Sequence, residues 1–285
     1  MKKSVEKQIQ CYLRNGEHDA SFLGWPGEDF MACARHGHAA LLEALISMVR
    51  ERTTHAAVPT ALANMDVVTW TRAKVAPMVR GLFPRHEHET ILDVLGRSVV
   101  FLTPANIETV LREMRWLGTA WDLANLYLES FGAELLSKHA SRIVGLSDEM
   151  TCYMSADYFR EESRFDDFVV HEAAHIFHNC KRRTIGLREI RGREWLLEID
   201  FVKRETFAYC CEAYSRILAL GGGPSDRNIL LSERETGMRL SEDRVDVAEY
   251  FDILREAVAA RNGWKRVLAR CSTSRPALRR GSEVA

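Results

Sequence analysis

His171-Glu172-Ala173-Ala174-His175 sets two imidazoles four residues apart with a carboxylate directly after the first. On an α-helix, residues four apart stand one above the other, so both rings can hold a single metal ion. Glu172 is turned about 100° from His171 around the same axis. That keeps it out of the ligand pair but within reach of a water on the ion. Zinc lowers the pKa of such a water to about 7, and a neighbouring carboxylate can then take its proton. Glu172 is accordingly the expected general base, and afterwards the acid that protonates a leaving amine. Apolar residues flank the motif, Phe168-Val169-Val170 before it and Ile176-Phe177 after it, a setting in which bare polar side chains are costly to bury. Ala173 and Ala174 are small enough to let another element pack close behind the metal. The competing reading is a metal-free helix whose histidines are simply hydrogen-bonded at a core edge.

A catalytic zinc site takes three protein ligands and leaves a fourth position open. The metzincin pattern HExxHxxGxxH is excluded, because His178 stands where glycine is needed and Lys181 where the third histidine is needed. The gluzincin arrangement instead draws a glutamate from a following helix. Glu205 is the first candidate, with Phe201 and Val202 a turn before it and Ala208 and Tyr209 a turn after it. A carboxylate in such an apolar stripe needs a partner, and a metal ion is one. Glu198 is the alternative. Glu212 shares the face of Glu205 but has Ser215 and Arg216 nearby, which suits a residue supporting a ligand or held in a salt bridge.

Four neighbours carry two readings each. Tyr209 is either a hydrogen-bond donor to a tetrahedral oxyanion or a packed core aromatic. His178 either faces substrate or stands behind the ligands, or else is an ordinary surface histidine. Cys152, in Glu149-Met150-Thr151-Cys152, is similar to the ligand cysteine of peptide deformylases but lacks their glycine context; a buried structural thiol is the other reading. The pairs His36/His38 and His86/His88 have no acidic or cysteine partner at metal spacing and read as exposed.

The stretch Arg164-Phe165-Asp166-Asp167-Phe168-Val169-Val170-His171-Glu172-Ala173-Ala174-His175 resembles the RxRFxxAHExxH segment of the ImmA/IrrE-type bacterial metallopeptidases. Glu205-Thr206-Phe207-Ala208-Tyr209 is similar to their ExxAxxFA helix. The likeness spans residues 142–220, and HEAAH replaces the usual HE-[LF]-G-H. It implies a gluzincin core of edge strand, motif helix and glutamate helix, with the strand binding an extended peptide by β-augmentation. Thr151 to Ser155 is then the candidate strand.

The elements that position these residues read as mainly α with a small β element (α+β). Residues 1–140 form an expected helical N-terminal region, 141–270 a zincin-like core and 271–285 a polar tail. Ala39 to Arg52 and Trp121 to Leu136 carry helical periodicity, and a further helix starts near Thr103-Pro104. Ser98 to Leu102 reads as strand or helix end. Arg142 to Leu146 and Thr151 to Ser155 read as a hairpin around Ser147-Asp148-Glu149. The segment Phe165 to Cys180 contains the motif, which sits on the apolar helix through Phe168 to Phe177. A long helix is expected from Glu194 to Leu220, stopped by Gly221-Gly222-Gly223-Pro224, and a last one within Asp243 to Arg270.

Bulk properties bound the function. The 285 residues are 46% apolar and 28% charged, as in a folded globular chain. Lys plus Arg number 39 against 40 for Asp plus Glu, a net charge of −1, so no global charge favours nucleic acid or an anionic membrane. No apolar run is long enough to cross a bilayer, and the charged N-terminus is unlike a secretory signal. Seven scattered cysteines suit a reducing compartment, here the cytoplasm. The expected function is a zinc-dependent metallopeptidase acting on a protein or peptide. The alternatives are a non-catalytic helical interaction protein with structural or vestigial zinc, and a metal-dependent hydrolase of other amides or esters. Nothing in the sequence sets an oligomeric state.

Overall fold

Polar caps and glycine stops divide the apolar periodicity into twelve α-helices and three short strands among the described residues. The computed structural model describes residues 5–140, 143–159, 164–190, 193–237 and 245–273. In chain order the elements begin with α1 Val5–Asn15, α2 Phe30–Arg52, α3 Thr60–Ala63, α4 Val67–Leu82 and α5 His88–Ser98. Next come β1 Val99–Phe101, α6 Ile107–Glu113, α7 Leu117–Ser130, β2 Gly145–Asp148 and β3 Thr151–Met154. The last five are α8 Phe168–Asn179, α9 Arg204–Leu220, α10 Pro224–Gly237, α11 Val247–Ala259 and α12 Gly263–Cys271. The fold is therefore mainly helical with a small sheet, as the sequence indicates. No helix among the described residues is long and apolar enough to cross a membrane. All seven thiols are free.

Two compact units emerge, one of residues 1–72 and 95–163, the other of 73–94 and 164–285. The chain is thus not divided by one cut near residue 140. The hairpin falls in the first unit, and the residues from Ala73 to Val94 join the motif helix in the second. The expected tail lies outside the described residues from 274 onward, whereas Cys271 closes α12 and Ser272 bridges to Ile199.

In the first unit, α1, α2, α6 and α7 bury one apolar cluster that includes Tyr12, Leu45, Leu111 and Tyr127. Tyr12 keeps its hydroxyl satisfied there by donating to the carbonyl of Leu117 at 2.8 Å. The helix expected to run to Leu136 stops at Ser130. Gly132 takes a φ of 66°, and the N–H groups of Gly132 and Ala133 close on the carbonyls of Glu129 and Leu128 at 2.9 Å each, a Schellman ending that only a glycine adopts without strain. The helix expected at Thr103 starts later, because Thr103–Asn106 forms a turn in which Asn106 Oδ1 accepts from Thr103 N–H at 2.8 Å.

The sheet has the order β1-β3-β2, with β1 parallel and β2 antiparallel to β3. Ser98 to Leu102 thus resolves into a helix end followed by a strand, and the hairpin forms with its turn at Glu149, whose φ is 50°. Arg142 lies outside the described residues. β3 holds the middle of the sheet, so its N–H and C=O groups face both neighbours. That corrects the expectation that Thr151 to Ser155 is an edge able to accept an added peptide strand.

In the second unit α9 is the hub, packing against α8, α10, α11 and α12. Ala173, Ala174 and Ala208 are fully buried at the packed faces, which allows close helix approach. The helix expected within Asp243 to Arg270 is two helices: residues 243 and 244 lie outside the described residues, Asp246 caps α11, and Asn262 restarts the chain by capping α12. Asn262 also donates to the carbonyl of Gly81 at 3.0 Å, and a Cβ on Gly81 would come within 2.1 Å of the Trp264 ring.

Arg182, 2% exposed, follows α8 and pairs its guanidinium with Glu87 just ahead of α5. Its Nε donates to the carbonyl of Arg188 at 2.8 Å. Removing one partner of so buried a pair leaves the other charged in a dry setting. Glu87→Ala is expected to lower unfolding stability by about 3–5 kcal/mol, and Glu87→Leu with Arg182→Met by much less. Urea unfolding checks this; a loss of about 1 kcal/mol or less for Glu87→Ala would mark the pair as water-exposed in effect.

Candidate metal centre

Asp167 begins the site by capping α8, its carboxylate accepting from Val170 N–H at 3.4 Å. The other carboxylate oxygen is paired with Lys74. The Asp167 N–H donates to Glu212 Oε1 at 2.6 Å, and Glu212 Oε2 stands 3.3 Å from His171 Nδ1. Glu212, 1% exposed on α9, therefore holds both the start of α8 and the first histidine ring. Assigning the Nδ1 proton of His171 to this contact leaves Nε2 as a lone pair directed away from Glu212.

That lone pair meets two others. His171 Nε2 and His175 Nε2 are 3.2 Å apart, and Glu205 Oε2 lies 3.8 Å from the first and 3.6 Å from the second. Among the described residues these three form a cluster able to hold a metal ion, their ligand atoms all within 4.8 Å of one another. Two imidazoles and a carboxylate converging in this way, with one ring held from behind by a carboxylate, are a donor set able to hold a metal ion. The residues fit a metal.

The local field is strongly negative. Burial would lower the pKa of His171, but the hydrogen bond and charge of Glu212, followed by the charges of Glu172 and Glu205, outweigh it and raise the value above the ordinary histidine range. Glu172, 9% exposed, follows His171 on the buried side of α8. The Tyr209 ring stands edge-on to His171 with centroids 4.5 Å apart and is half-buried. The structure thus brings His171, His175, Glu205, Glu172 and Tyr209 to one place.

Other expectations are corrected. Glu198 is not a ligand: its Oε1 accepts the backbone N–H groups of Glu194 at 2.9 Å and Trp195 at 3.2 Å. The long helix does not start at Glu194, because Leu196 and Leu197 donate to the carbonyls of Cys180 and Phe177 at the end of α8. The apolar stripe invoked for Glu205 is only half real, since Phe201 and Val202 are 76% and 71% exposed. His178 is no surface histidine. It is 4% exposed, its ring lies 5.3 Å from that of His175, and burial, then His175 and Arg204, push its pKa down to about 3. Cys152 is buried in β3 with Ser147 Oγ at 3.8 Å. His36, His38 and His88 each place a ring nitrogen on a backbone carbonyl, and His86 is exposed.

Sequence reading missed Lys74 and Arg204. Lys74 lies 93 residues from Asp167 and has no local signal. Arg204 adjoins Glu205, and only the fold shows that it lines a cavity. Asp167 was likewise missed as the N-cap of α8. Compared with protein-family models, curated proteins and solved structures, the chain matches none.

Proposed function

We propose that this protein is a zinc-dependent metallopeptidase of the gluzincin type. The observation that carries the reading is the convergence of His171 Nε2, His175 Nε2 and Glu205 Oε2 from two packed helices, with a second glutamate on the helix of the two histidines. Two imidazoles and one carboxylate also suit ferrous iron. A carboxylate next to the first ligand is what hydrolysis adds to such a set, and Glu172 supplies it. Zinc, when bound, acts as a Lewis acid that polarises a carbonyl and lowers the pKa of water.

The chain's own residues do the rest. Glu172 takes the proton of the attacking water on its carboxylate and returns it to the departing amine nitrogen. Glu212 holds the His171 ring in one tautomer and orientation through Nδ1. Tyr209, beside His171, is placed to donate to the developing oxyanion. The substrate is a protein or peptide, and the free thiols support a cytoplasmic setting. The similarity to ImmA/IrrE-type enzymes agrees with this chemistry, but β3 is not the strand on which a substrate is read.

Incubation with a quenched fluorescent peptide library tests the proposal. Cleavage should stop on chelation and return with stoichiometric zinc. A chain that binds zinc stoichiometrically yet cuts no peptide under any condition would point to hydrolysis of other amides or to a structural metal.

A further inference from the structure

Beside the candidate metal centre lies a cavity of about 540 Å³ whose lining includes His175, Glu205, His178, Asn179, Arg204, Phe201 and Val202. Two of these residues are the candidate ligands, so the cavity shares a wall with the site. Its other side combines apolar surface with two side chains, His178 and Arg204, that each carry a buried nitrogen without a hydrogen-bond partner. Among the described residues four buried side-chain polar atoms have no hydrogen-bond partner, Thr71 Oγ1, Glu87 Oε2, His178 Nδ1 and Arg204 Nε. Two of the four belong to residues of this one cavity's lining, His178 and Arg204.

Buried polar groups in native proteins are almost always satisfied, and an orphan calls for a partner supplied from outside. The arginine is charged at any ordinary pH, and its guanidinium is held over the Phe201 ring at 5.0 Å from the centroid. Phe201 and Val202 are otherwise far more exposed than residues of their type need be. An anion carried on an apolar group meets both features at once.

We propose that Arg204 and His178 form a carboxylate-binding subsite, with Phe201 and Val202 as its apolar flank, that positions a peptide next to the metal centre. A carboxylate has two acceptor oxygens, and the subsite offers two N–H groups, Arg204 Nε–H and His178 Nδ1–H in the corresponding tautomer. The nature of the ligand as a peptide rests on the metallopeptidase reading; the demand for an anion does not. In a peptide the carboxylate is either the C-terminal one or an acidic side chain.

Calorimetry on the full-length chain carrying Glu172→Gln, with and without zinc, separates these. The probes are N-acetyl-Ala-Phe as free acid and as C-terminal amide, and N-acetyl-Phe-Asp amide beside N-acetyl-Phe-Asn amide. In one pair the acid should bind about 10- to 100-fold tighter than its neutral twin, the scale of a charge-assisted hydrogen bond. A gain in the first pair identifies the C-terminal carboxylate, and a gain in the second an acidic side chain. Arg204→Gln should erase the difference and Arg204→Lys should recover part of it. Equal binding within both pairs overturns the subsite, and this comparison needs no Arg204 variant to fold. The two readings fail separately. A carboxylate preference without any peptide cleavage by the wild type leaves the subsite standing, whereas cleavage without that preference removes the subsite alone.

Discussion

Glutamine at position 172 is expected to reduce peptide turnover by about 10²- to 10⁴-fold, the contribution of a positioned general acid–base, while zinc stays bound. The change keeps the shape of a side chain that is 9% exposed on α8, so the packing against α9 has no reason to alter. It removes the carboxylate that, in the proposed mechanism, accepts the proton of the attacking water and later delivers it to the amine. It leaves the three candidate ligands in place, because the cluster consists of His171, His175 and Glu205 without Glu172. Metal content and turnover measured on the same sample therefore diverge. Full activity in Glu172→Gln would end this mechanism, and loss of zinc together with activity would recast Glu172 as a ligand or a prop of the site.

What the sequence makes legible follows from the range over which each feature is determined. HExxH is local, since one helical turn sets the two histidines together, and the structure places them so. Glu205 is legible as a residue, but the burial argument for it is sound only on the side of Ala208; Phe201 and Val202 are outside the helix and face solvent. The missed start of α9 has a non-local cause. Glu194 to Ile199 has helix-compatible residues, yet Trp195 bridges to Lys181 and Leu196 and Leu197 donate to the end of α8, so tertiary hydrogen bonds override local preference. The central position of β3 was hidden for the same reason. Its hairpin with β2 is local, whereas the parallel pairing with β1 joins residues about 50 apart in sequence and leaves no local mark. The caps Asp167 and Asn262 were not read from the sequence, because an aspartate or asparagine becomes a cap only where the chain turns.

Zinc affinity should sort the glutamates of the second unit in the order Glu205, Glu212, Glu198. Glu205→Ala removes one of three donors and is expected to weaken zinc more than any change behind the ligands. Glu212→Gln should weaken it by about 10- to 100-fold, as loss of a ligand's supporting hydrogen bond does. The reason lies in the two acceptors that Glu212 uses together. Oε1 takes the Asp167 N–H at 2.6 Å and Oε2 stands 3.3 Å from His171 Nδ1. Glutamine offers a carbonyl on one side and an NH₂ on the other. One of the two donors must then face another donor, so either the start of α8 or the tautomer of His171 gives way. Glu198→Ala alters only a turn at Glu194 and Trp195 and should leave zinc affinity unchanged. Competition against a chromophoric chelator reads all three. If Glu198→Ala released the metal and Glu205→Ala did not, the ligand set drawn from the geometry would be wrong. If Glu212→Gln bound zinc like the wild type, the His171 ring would be held by the packing of α8 and Tyr209 rather than by its carboxylate.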